Sequence, residues 1–228
     1  EMGIVKYDPP IPATLSGLVK GQFPSFIPKT DEIRIQAVPG VLGRHKGIEC
    51  YATEKLDGSS MTAYLRGDEF GICSRNLELK FSETNSLWRL STRYDLLGAL
   101  ESLGGGLAFQ GEIIGPGIQG NKYKLKDTQF RIFNIYDLAE NRYLSHKIAV
   151  DILEGLGYDI PVTVPELAVF ELDHSVDELV ELAKGRSKLA DIHREGIVIR
   201  PIDETTDPEL GRLSFKVINP DFLLKFRE

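Results

Sequence analysis

The sequence predicts an α+β domain with largely antiparallel sheets flanked by helices. One observation is that short apolar or alternating runs of strand length recur along the chain, whereas stretches with helical spacing are few. The other is that several neighbouring runs are joined by connections too short to hold a crossover helix, so these strands must pair antiparallel. A doubly wound parallel fold is the less favoured alternative.

Composition restricts the class of protein further. The 228 residues suit one domain with a full core, and 42% hydrophobic and 27% charged residues are typical of soluble globular proteins. No apolar run approaches the ~20 residues that a membrane span needs. A net charge of -7 argues against a uniformly basic nucleic-acid binder, although a local basic groove remains compatible with it. We expect a soluble monomer without a membrane partner.

Cysteines and the N-terminus indicate the compartment. Cys50 and Cys73 are too few and too far apart for a disulfide scaffold or a zinc site, and their apolar surroundings predict buried free thiols. The first residues show neither a secretory leader nor an Arg-rich presequence. These features favour an intracellular protein.

The elements follow in order along the chain. Pro9, Pro10, Pro12, Pro24 and Pro28 predict an irregular lead-in or linker over residues 1–32, followed by one domain over residues 33–228. Strands are predicted at 48–52, 60–65, 70–74, 107–114, 131–138, 196–199 and 213–218.

Helices are predicted between some of these strands, at 84–103, 145–156 and 175–184. The first has leucines and a tyrosine near helical spacing, at positions 87, 90, 94, 97 and 100. The last begins with a capping box formed by Ser175 and Glu178.

Lys55, Asp57 and Gly58 form the first candidate site. In a strand, residues two apart share a face, so Lys55 and Asp57 are expected to reach one pocket while Gly58 allows a turn. Holding a lysine neutral at pH 7 requires about 4.6 kcal/mol, so a lysine nucleophile needs nearby cations, a metal or desolvation. The alternative is a surface lysine paired with Glu54 or Asp57.

Two further carboxylates begin or end predicted strands. Alternation puts Gln110 and Glu112 on one face, with Glu112 just before the turn at 115–117, and Glu195 precedes the apolar strand at 196–199. Together with Asp57 they would form a hard oxygen site for Mg²⁺ or Mn²⁺, completed by water and phosphate. A solvent-exposed strand-end glutamate and a polar strand cap are the respective alternatives.

Cations and one aromatic residue complete the candidates. Lys216 lies among apolar strand residues, where a phosphate would satisfy its charge, although it could also extend to solvent. Phe133 could stack on a purine, or belong to the core. Arg75 and Arg34 are candidate phosphate or ribose ligands, with ion pairs at the surface as the alternative.

Taken in order, these segments resemble the motifs of the covalent nucleotidyltransferase superfamily, which comprises RNA ligases, DNA ligases and mRNA capping enzymes. The segments that carry the resemblance are 55–58, 74–76, 109–112, the strand around Phe133, 195–198 and 215–216. The turn at 112–117 and the ending at 215–220, with no further module after it, are most similar to ATP-dependent RNA ligases of the Deinococcus and Naegleria type.

The resemblance implies a fold and a reaction. The fold would be the ATP-grasp-like nucleotidyltransferase (adenylation) domain of ligases. Lys55 would attack the α-phosphate of ATP to form lysyl-AMP, AMP would pass to a 5′-phosphate end, and a 3′-hydroxyl would displace it. The implied partners are ATP, Mg²⁺ or Mn²⁺, and RNA or a nicked duplex that contains RNA.

The resemblance also implies roles for single residues. Asp57 and Glu195 would bind metal or its waters, and Glu112 the ribose or metal waters. The remaining nucleotide contacts would be Phe133 at the adenine face, Lys216 at the α-phosphate, Arg75 at the ribose or phosphates, Glu54 and Leu56 beside the nucleophile, and Arg34 at the β- and γ-phosphates. Lys55, Asp57 and Lys216 would form the catalytic set.

Two departures from the family accompany these implications. Many ligases have two lysines one residue apart in the last motif, whereas Ser214 and Ile218 flank Lys216 at that spacing. Family members of this type also carry an N-terminal oligonucleotide-binding module, for which the residues before position 33 leave no room.

Other functions remain open at the level of the sequence. A capping guanylyltransferase would use the same lysine chemistry on GTP, and a DNA ligase would use it on another strand. A protein of a different class, a non-catalytic nucleotide- or RNA-binding module, would keep the fold but has no reason to keep a nucleophile beside metal-site acids.

Overall fold

The computed structural model describes residue 15, residues 17–158 and residues 162–226. Its strands are β1 (Val19–Gln22), β2 (Ile33–Arg34), β3 (Glu49–Lys55), β4 (Ser59–Arg66), β5 (Glu69–Cys73), β6 (Leu77–Leu79), β7 (Leu107–Ile114), β8 (Gln129–Asp137), β9 (Arg142–Tyr143), β10 (Glu166–Glu171), β11 (Gly196–Pro201), β12 (Thr206–Asp207), β13 (Gly211–Arg212) and β14 (Phe215–Ile218). Its α-helices are α1 (Gly40–Arg44), α2 (Ser86–Arg93), α3 (Leu96–Ser102), α4 (His146–Gly155), α5 (Val176–Ala183) and α6 (Pro220–Phe226). Short 3-10 helices lie at Ile35–Ala37 and Gln119–Asn121.

Two large sheets organise these elements. A seven-stranded sheet has the order β1-β6-β5-β4-β7-β8-β9, and a five-stranded sheet has the order β10-β3-β11-β14-β2. Strands β12 and β13 form a separate pair. The pairing is antiparallel throughout the seven-stranded sheet, and in the five-stranded sheet only β14 and β2 run parallel. The predicted α+β fold with largely antiparallel sheets is confirmed.

Each sheet buries one face against helices. Helices α2, α3 and α4 cover the seven-stranded sheet, where Leu96, Leu100 and Leu153 pack against Phe109 and Phe130. Helices α1 and α5 cover the five-stranded sheet through apolar side chains such as Val41 and Leu179. Full burial of one such side chain contributes about 1.5–3 kcal/mol, so these two clusters stabilise the sheets that carry the site.

The long helix predicted at 84–103 is two helices. Asp95 adopts left-handed backbone angles with φ 44°, and its side chain accepts a hydrogen bond from the Gly98 N–H. An aspartate that caps a new helix in this way breaks the old one, although the apolar spacing continues across the break. Asn85 caps the first of the two helices. The capping box of Ser175 and Glu178 is confirmed at the start of α5.

The irregular lead-in predicted over residues 1–32 contains a strand, β1, which belongs to the seven-stranded sheet. Residues of β1 pair with β6, and Ile27 is buried beneath the seven-stranded sheet. The partner strand is more than fifty residues away, so no local pattern reveals the pairing. Pro9, Pro10 and Pro12 lie outside the described residues.

Several smaller features complete the comparison with the sequence. Strand β10 and helices α1 and α6 were not predicted. Cys50 and Cys73 are buried free thiols, as expected, and burial raises the pKa of Cys50 to about 12. Within the described part of the chain, the helices are too short and too polar to cross a bilayer.

Candidate active site

The candidate site lies where the chain passes from one sheet to the other. Strand β3 of the five-stranded sheet ends at Lys55, and β4 of the seven-stranded sheet begins at Ser59. Leu56 anchors the connection by packing with Ile114, Tyr123 and other residues between the sheets. The nucleophile predicted from the sequence therefore lies at the junction of two rigid sheets.

A cavity of about 360 Å³ opens at this junction, a volume suited to a small ligand. Both sheets and the segment before β2 contribute to its wall. It is lined by Phe23, Lys29, Thr30, Asp31, Glu32, Thr53, Glu54, Lys55, Leu56, Gly58, Ser59, Ser60, Arg75, Glu112, Gln119, Phe133, Val164, Val198, Arg200 and Lys216.

Gly58 is required by close packing rather than by a special turn. A Cβ at this position would lie 2.3 Å from the carbonyl oxygen of Ile113 and 2.8 Å from Cγ of Glu112. Gly58 has no left-handed φ, so the predicted need for turning freedom is wrong at this residue. The glycine instead lets the connection lie directly against the end of β7 and brings Lys55 close to Glu112.

Lys55 forms an ion pair with Glu195. Strand β3 pairs Lys55 with Gly196 of β11, and this register places Glu195 beside the ammonium. The alternative of a surface lysine paired with Glu54 or Asp57 is wrong, because Lys55 pairs instead with Glu195, just before β11, and both side chains are largely buried.

The side chain of Glu54, the residue before Lys55, binds a neighbouring segment of the chain. Glu54 is buried, and its carboxylate accepts a hydrogen bond from the Lys188 N–H at 2.8 Å. Burial raises the pKa of Glu54 above its ordinary value. The carboxylate therefore anchors the segment at 187–188, and the predicted contact of Glu54 with a nucleotide stays a prediction.

Asp57 does not face the cavity with Lys55. Strand β3 ends at Lys55, so strand alternation does not extend to Asp57 and the predicted shared face is wrong. Asp57 does not line the cavity, and its carboxylate accepts a hydrogen bond from Lys122 at 2.6 Å. The sequence offered no signal for Lys122, which lies 65 residues further along the chain.

Glu112 lines the cavity from β7, where the register pairs it with Ser60. The pKa of Glu112 is raised to about 8, mainly by burial; the positive charge of Lys55 opposes this shift, and the negative charges of Glu195 and Asp57 add to it. Without an added cation, Glu112 is therefore largely protonated at pH 7. The alternative of a solvent-exposed strand-end glutamate is wrong.

Cations from neighbouring strands converge at the other side of Lys55. The parallel pairing of β14 with β2 sets Lys216 opposite Arg34 in register. Burial lowers the pKa of Lys216, and the positive charges of Lys55 and Arg34 lower it further. Such a group of cations favours an anionic ligand. Arg34 itself is exposed and lies outside the cavity wall, whereas Lys216 is part of it.

Arg200 is a cavity residue that sequence reasoning missed. It is buried, donates to Ser214 Oγ at 3.0 Å and forms an ion pair with Glu32 at 2.9 Å. Ser214 occupies the position at which many ligases have a second lysine, and its hydroxyl holds this guanidinium. The sequence did contain a signal for Arg200. Residues two apart in a strand share a face, so Arg200 lies on the same face as Val198, and both line the cavity.

Phe133 and Arg75 take different positions at the cavity. Phe133 is partly exposed and lines the wall, with the Arg200 guanidinium 5.8 Å from its ring centroid. Arg75 is exposed at the rim and forms an ion pair with Asp31 at 2.6 Å. Their roles toward a nucleotide stay predictions.

The three predicted metal carboxylates are not grouped around one point. Within residues 17–158 and 162–226, no three His, Cys, Asp or Glu side chains are placed to hold a metal ion together. Lysines pair with two of the predicted ligands, Asp57 and Glu195. The oxygen donors still suit Mg²⁺ or Mn²⁺ chemically, with water supplying most of the inner shell and phosphate replacing part of that water when a nucleotide binds.

Comparison with known proteins decides the family. The sequence profile of the RNA ligase family matches residues 48–218, which include Lys55, Glu112, Glu195 and Lys216. The chain belongs to the RNA ligase family. A comparison with curated protein sequences gave no significant match.

Solved structures of one RNA ligase are similar over almost the whole chain. The Naegleria gruberi RNA ligase with PPi is 39% identical with a TM-score of 0.86, covering 99% of this chain and 65% of that chain. A mutant of it with ATP and Mn is 38% identical with a TM-score of 0.85 and the same coverage. Another mutant, with AMP and Mn, is 38% identical with a TM-score of 0.84, covering 98% and 65%.

These similarities confirm the predicted resemblance to RNA ligases of the Naegleria type and the nucleotidyltransferase fold. The chain spans about 65% of the length of the ligase structures. What the complete ligases do with their strands is therefore carried to this chain only as a proposal.

Proposed function

We propose that this chain is the adenylation domain of an ATP-dependent RNA ligase. The observation that carries the proposal is the position of Lys55, which contacts Glu195 at the wall of a cavity that also presents Lys216 and Phe133. A nucleophile, a carboxylate, a phosphate-binding cation and an aromatic face are what nucleotide transfer to lysine requires.

The first step is transfer of AMP to the protein. The Lys55 ammonium gives one proton to solvent, and the neutral amine then attacks the α-phosphorus of ATP; a second proton leaves Nζ as the phosphoramidate forms. The Nζ–P bond forms while the bond to pyrophosphate breaks, so the leaving group departs opposite Lys55. Lys216 binds the phosphate and neutralises charge on the transferring group.

A divalent ion supports this step when bound. Asp57, Glu112 and Glu195 would hold it or its waters, and it would supply charge neutralisation at the phosphates. Phe133 orients the base by stacking, Glu112 contacts the ribose, and Arg75 and Arg34 take the outer phosphate or ribose contacts. Glu54 and Leu56, which line the cavity on either side of Lys55, complete the nucleotide-binding wall.

The later steps would use the nucleic-acid partner. AMP passes from Lys55 to a 5′-phosphate of RNA or of a nicked duplex containing RNA, and a 3′-hydroxyl then displaces AMP. We assign the nucleotidyl transfer to residues 33–228, supported by β1 and the segment that follows it. Because the ligase structures are longer, we expect AMP transfer to the protein to survive better in this chain than end sealing.

Incubation with labelled nucleotides tests the proposal. With Mg²⁺ or Mn²⁺, α-labelled ATP is expected to label the protein covalently and to release pyrophosphate, whereas GTP is not. Sealing is then compared on nicked duplexes with RNA or DNA at the 3′-hydroxyl side. Labelling by GTP alone, or tight ATP binding without pyrophosphate release, would contradict the proposal.

Phe133→Ala is expected to raise the KM for ATP in the labelling reaction by about 5- to 150-fold, because one base stacked on an aromatic ring contributes roughly 1–3 kcal/mol. The maximal labelling rate should change much less. Phe81→Ala is the matched control, since Phe81 is 68% exposed and does not line the cavity. An unchanged KM in Phe133→Ala would show that the base does not stack there.

A further inference from the structure

One segment, residues 119–123, holds the connection between the two sheets by its side chains. Tyr123 Oη accepts the Asp57 N–H at 2.8 Å, and Gln119 Nε2 donates to the Gly58 carbonyl at 3.3 Å. Lys122 Nζ lies 2.6 Å from Asp57 Oδ2. Asp57 and Gly58, which follow the nucleophile closely, are thus held by residues 119–123. This segment lies outside the motifs that carry the family resemblance.

The Lys122–Asp57 ion pair is shielded from water. The side chains are 14% and 11% exposed, so the pair lies in surroundings where charges interact more strongly than at an open surface. The carboxylate is directed to Lys122 and does not line the cavity. This arrangement differs from the metal role that the family resemblance implies for Asp57.

Lys122 also has aromatic neighbours that would receive its charge. Its ammonium lies 5.1 Å from the ring centroid of Phe222 and 5.0 Å from that of Phe226, both in α6. Contacts of this kind stabilise a cation without a carboxylate. The ammonium can therefore leave Asp57 and still keep a favourable position beside α6.

We propose that Lys122 competes with the divalent ion for the Asp57 carboxylate, so that the Lys122–Asp57 ion pair and metal binding exclude each other. A divalent ion and an ammonium on one carboxylate would bring like charges within a few ångströms of each other at a largely buried position. When the ion binds, Lys122 moves toward the rings of α6. The ion pair thus sets the metal concentration at which the site becomes competent.

This inference rests on the metal-dependent nucleotidyl transfer proposed above, and its test does not require that reaction. Binding of Mn²⁺ to the whole chain is measured without ATP, from the electron paramagnetic resonance signal of the free ion. Lys122→Met removes the competing charge while keeping an apolar side chain beside α6. We expect at least about tenfold tighter Mn²⁺ binding, because the ion no longer has to displace a like charge from a shielded carboxylate.

Matched variants separate competition from other effects. Lys124→Gln removes an exposed lysine two residues away and is expected to change the Kd less than twofold. Lys122→Gln removes the charge while keeping a donor for Asp57, and it should bind Mn²⁺ more tightly even if Lys122→Met does not fold. Lys122→Arg keeps the charge and should resemble the wild type. In an Asp57→Asn background, Lys122→Gln should no longer have an effect.

Equal or weaker Mn²⁺ binding by folded Lys122→Gln would overturn the proposal and make Lys122 a structural anchor of the connection. Absence of measurable binding in both proteins would overturn it as well, because removal of the competitor should expose the site. Tighter Mn²⁺ binding together with absent ATP labelling would instead overturn the proposed reaction and keep the competition.

Discussion

Lys55→Met abolishes covalent labelling by ATP, because no other side chain takes over the bond to the α-phosphorus. Methionine keeps a chain of similar length against Leu56 and the cavity wall, so the fold and the binding of ATP should persist within several-fold. The measurement is incorporation of label from ATP into denatured protein, alongside ATP affinity of the native protein.

The control is Lys188→Met, which removes an exposed lysine whose main chain, rather than its side chain, contacts Glu54. It should label like the wild type. Residual labelling of Lys55→Met at the wild-type rate would mean that the nucleophile is elsewhere. Loss of ATP binding together with labelling would mean that Lys55 serves mainly in binding.

Glu112→Gln stabilises the metal-free protein at high pH. The pKa of Glu112 is raised by burial from 4.5 to about 8, so the folded state holds a proton that the unfolded state has lost. The free energy of unfolding therefore decreases as pH rises from about 4.5 to 8, by at most about 5 kcal/mol, and is unaffected by this group below that window. Glutamine does not titrate and avoids this loss.

Urea unfolding in EDTA at pH 5 and pH 8 measures this effect. At pH 8 the free energy of unfolding of Glu112→Gln should exceed that of the wild type by a few kcal/mol. At pH 5 the titration of Glu112 should contribute less than about 1 kcal/mol to the difference between the two proteins. Glu140→Gln, at an exposed position, should give the same difference from the wild type at both pH values. A Glu112→Gln difference that does not depend on pH would show that Glu112 is ionised in the free protein.

Sequence patterns predicted the elements that carry the chemistry. Strands β3, β7, β11 and β14 have apolar or alternating runs long enough to identify, and each carries or adjoins a predicted site residue. The ordered motifs were sufficient to indicate the ligase resemblance, which the family match confirms. The local physics of strand alternation was also correct for Glu112, which faces the cavity.

The remaining features depend on contacts between distant parts of the chain. Asp57 was misplaced because a strand ends where its hydrogen-bonding partners end, and the partner strand β11 reaches only Lys55. Lys122 reaches Asp57 because the chain forms a turn in which residues such as Gln119 and Asn121 have left-handed backbone angles. The spacing of apolar residues does not predict such a turn. Strand alternation could have placed Arg200 beside Val198, but its burial is explained only by its partners Glu32 and Ser214, which are distant in sequence.

The central claim is that Lys55 carries AMP, and peptide mass spectrometry tests it most directly. The wild-type chain is incubated with ATP and Mn²⁺, digested, and searched for peptides heavier by one AMP group. We predict that this added mass lies on Lys55 alone among the lysines of the chain. An adduct on Lys122 or Lys216 with Lys55 unmodified would contradict the account.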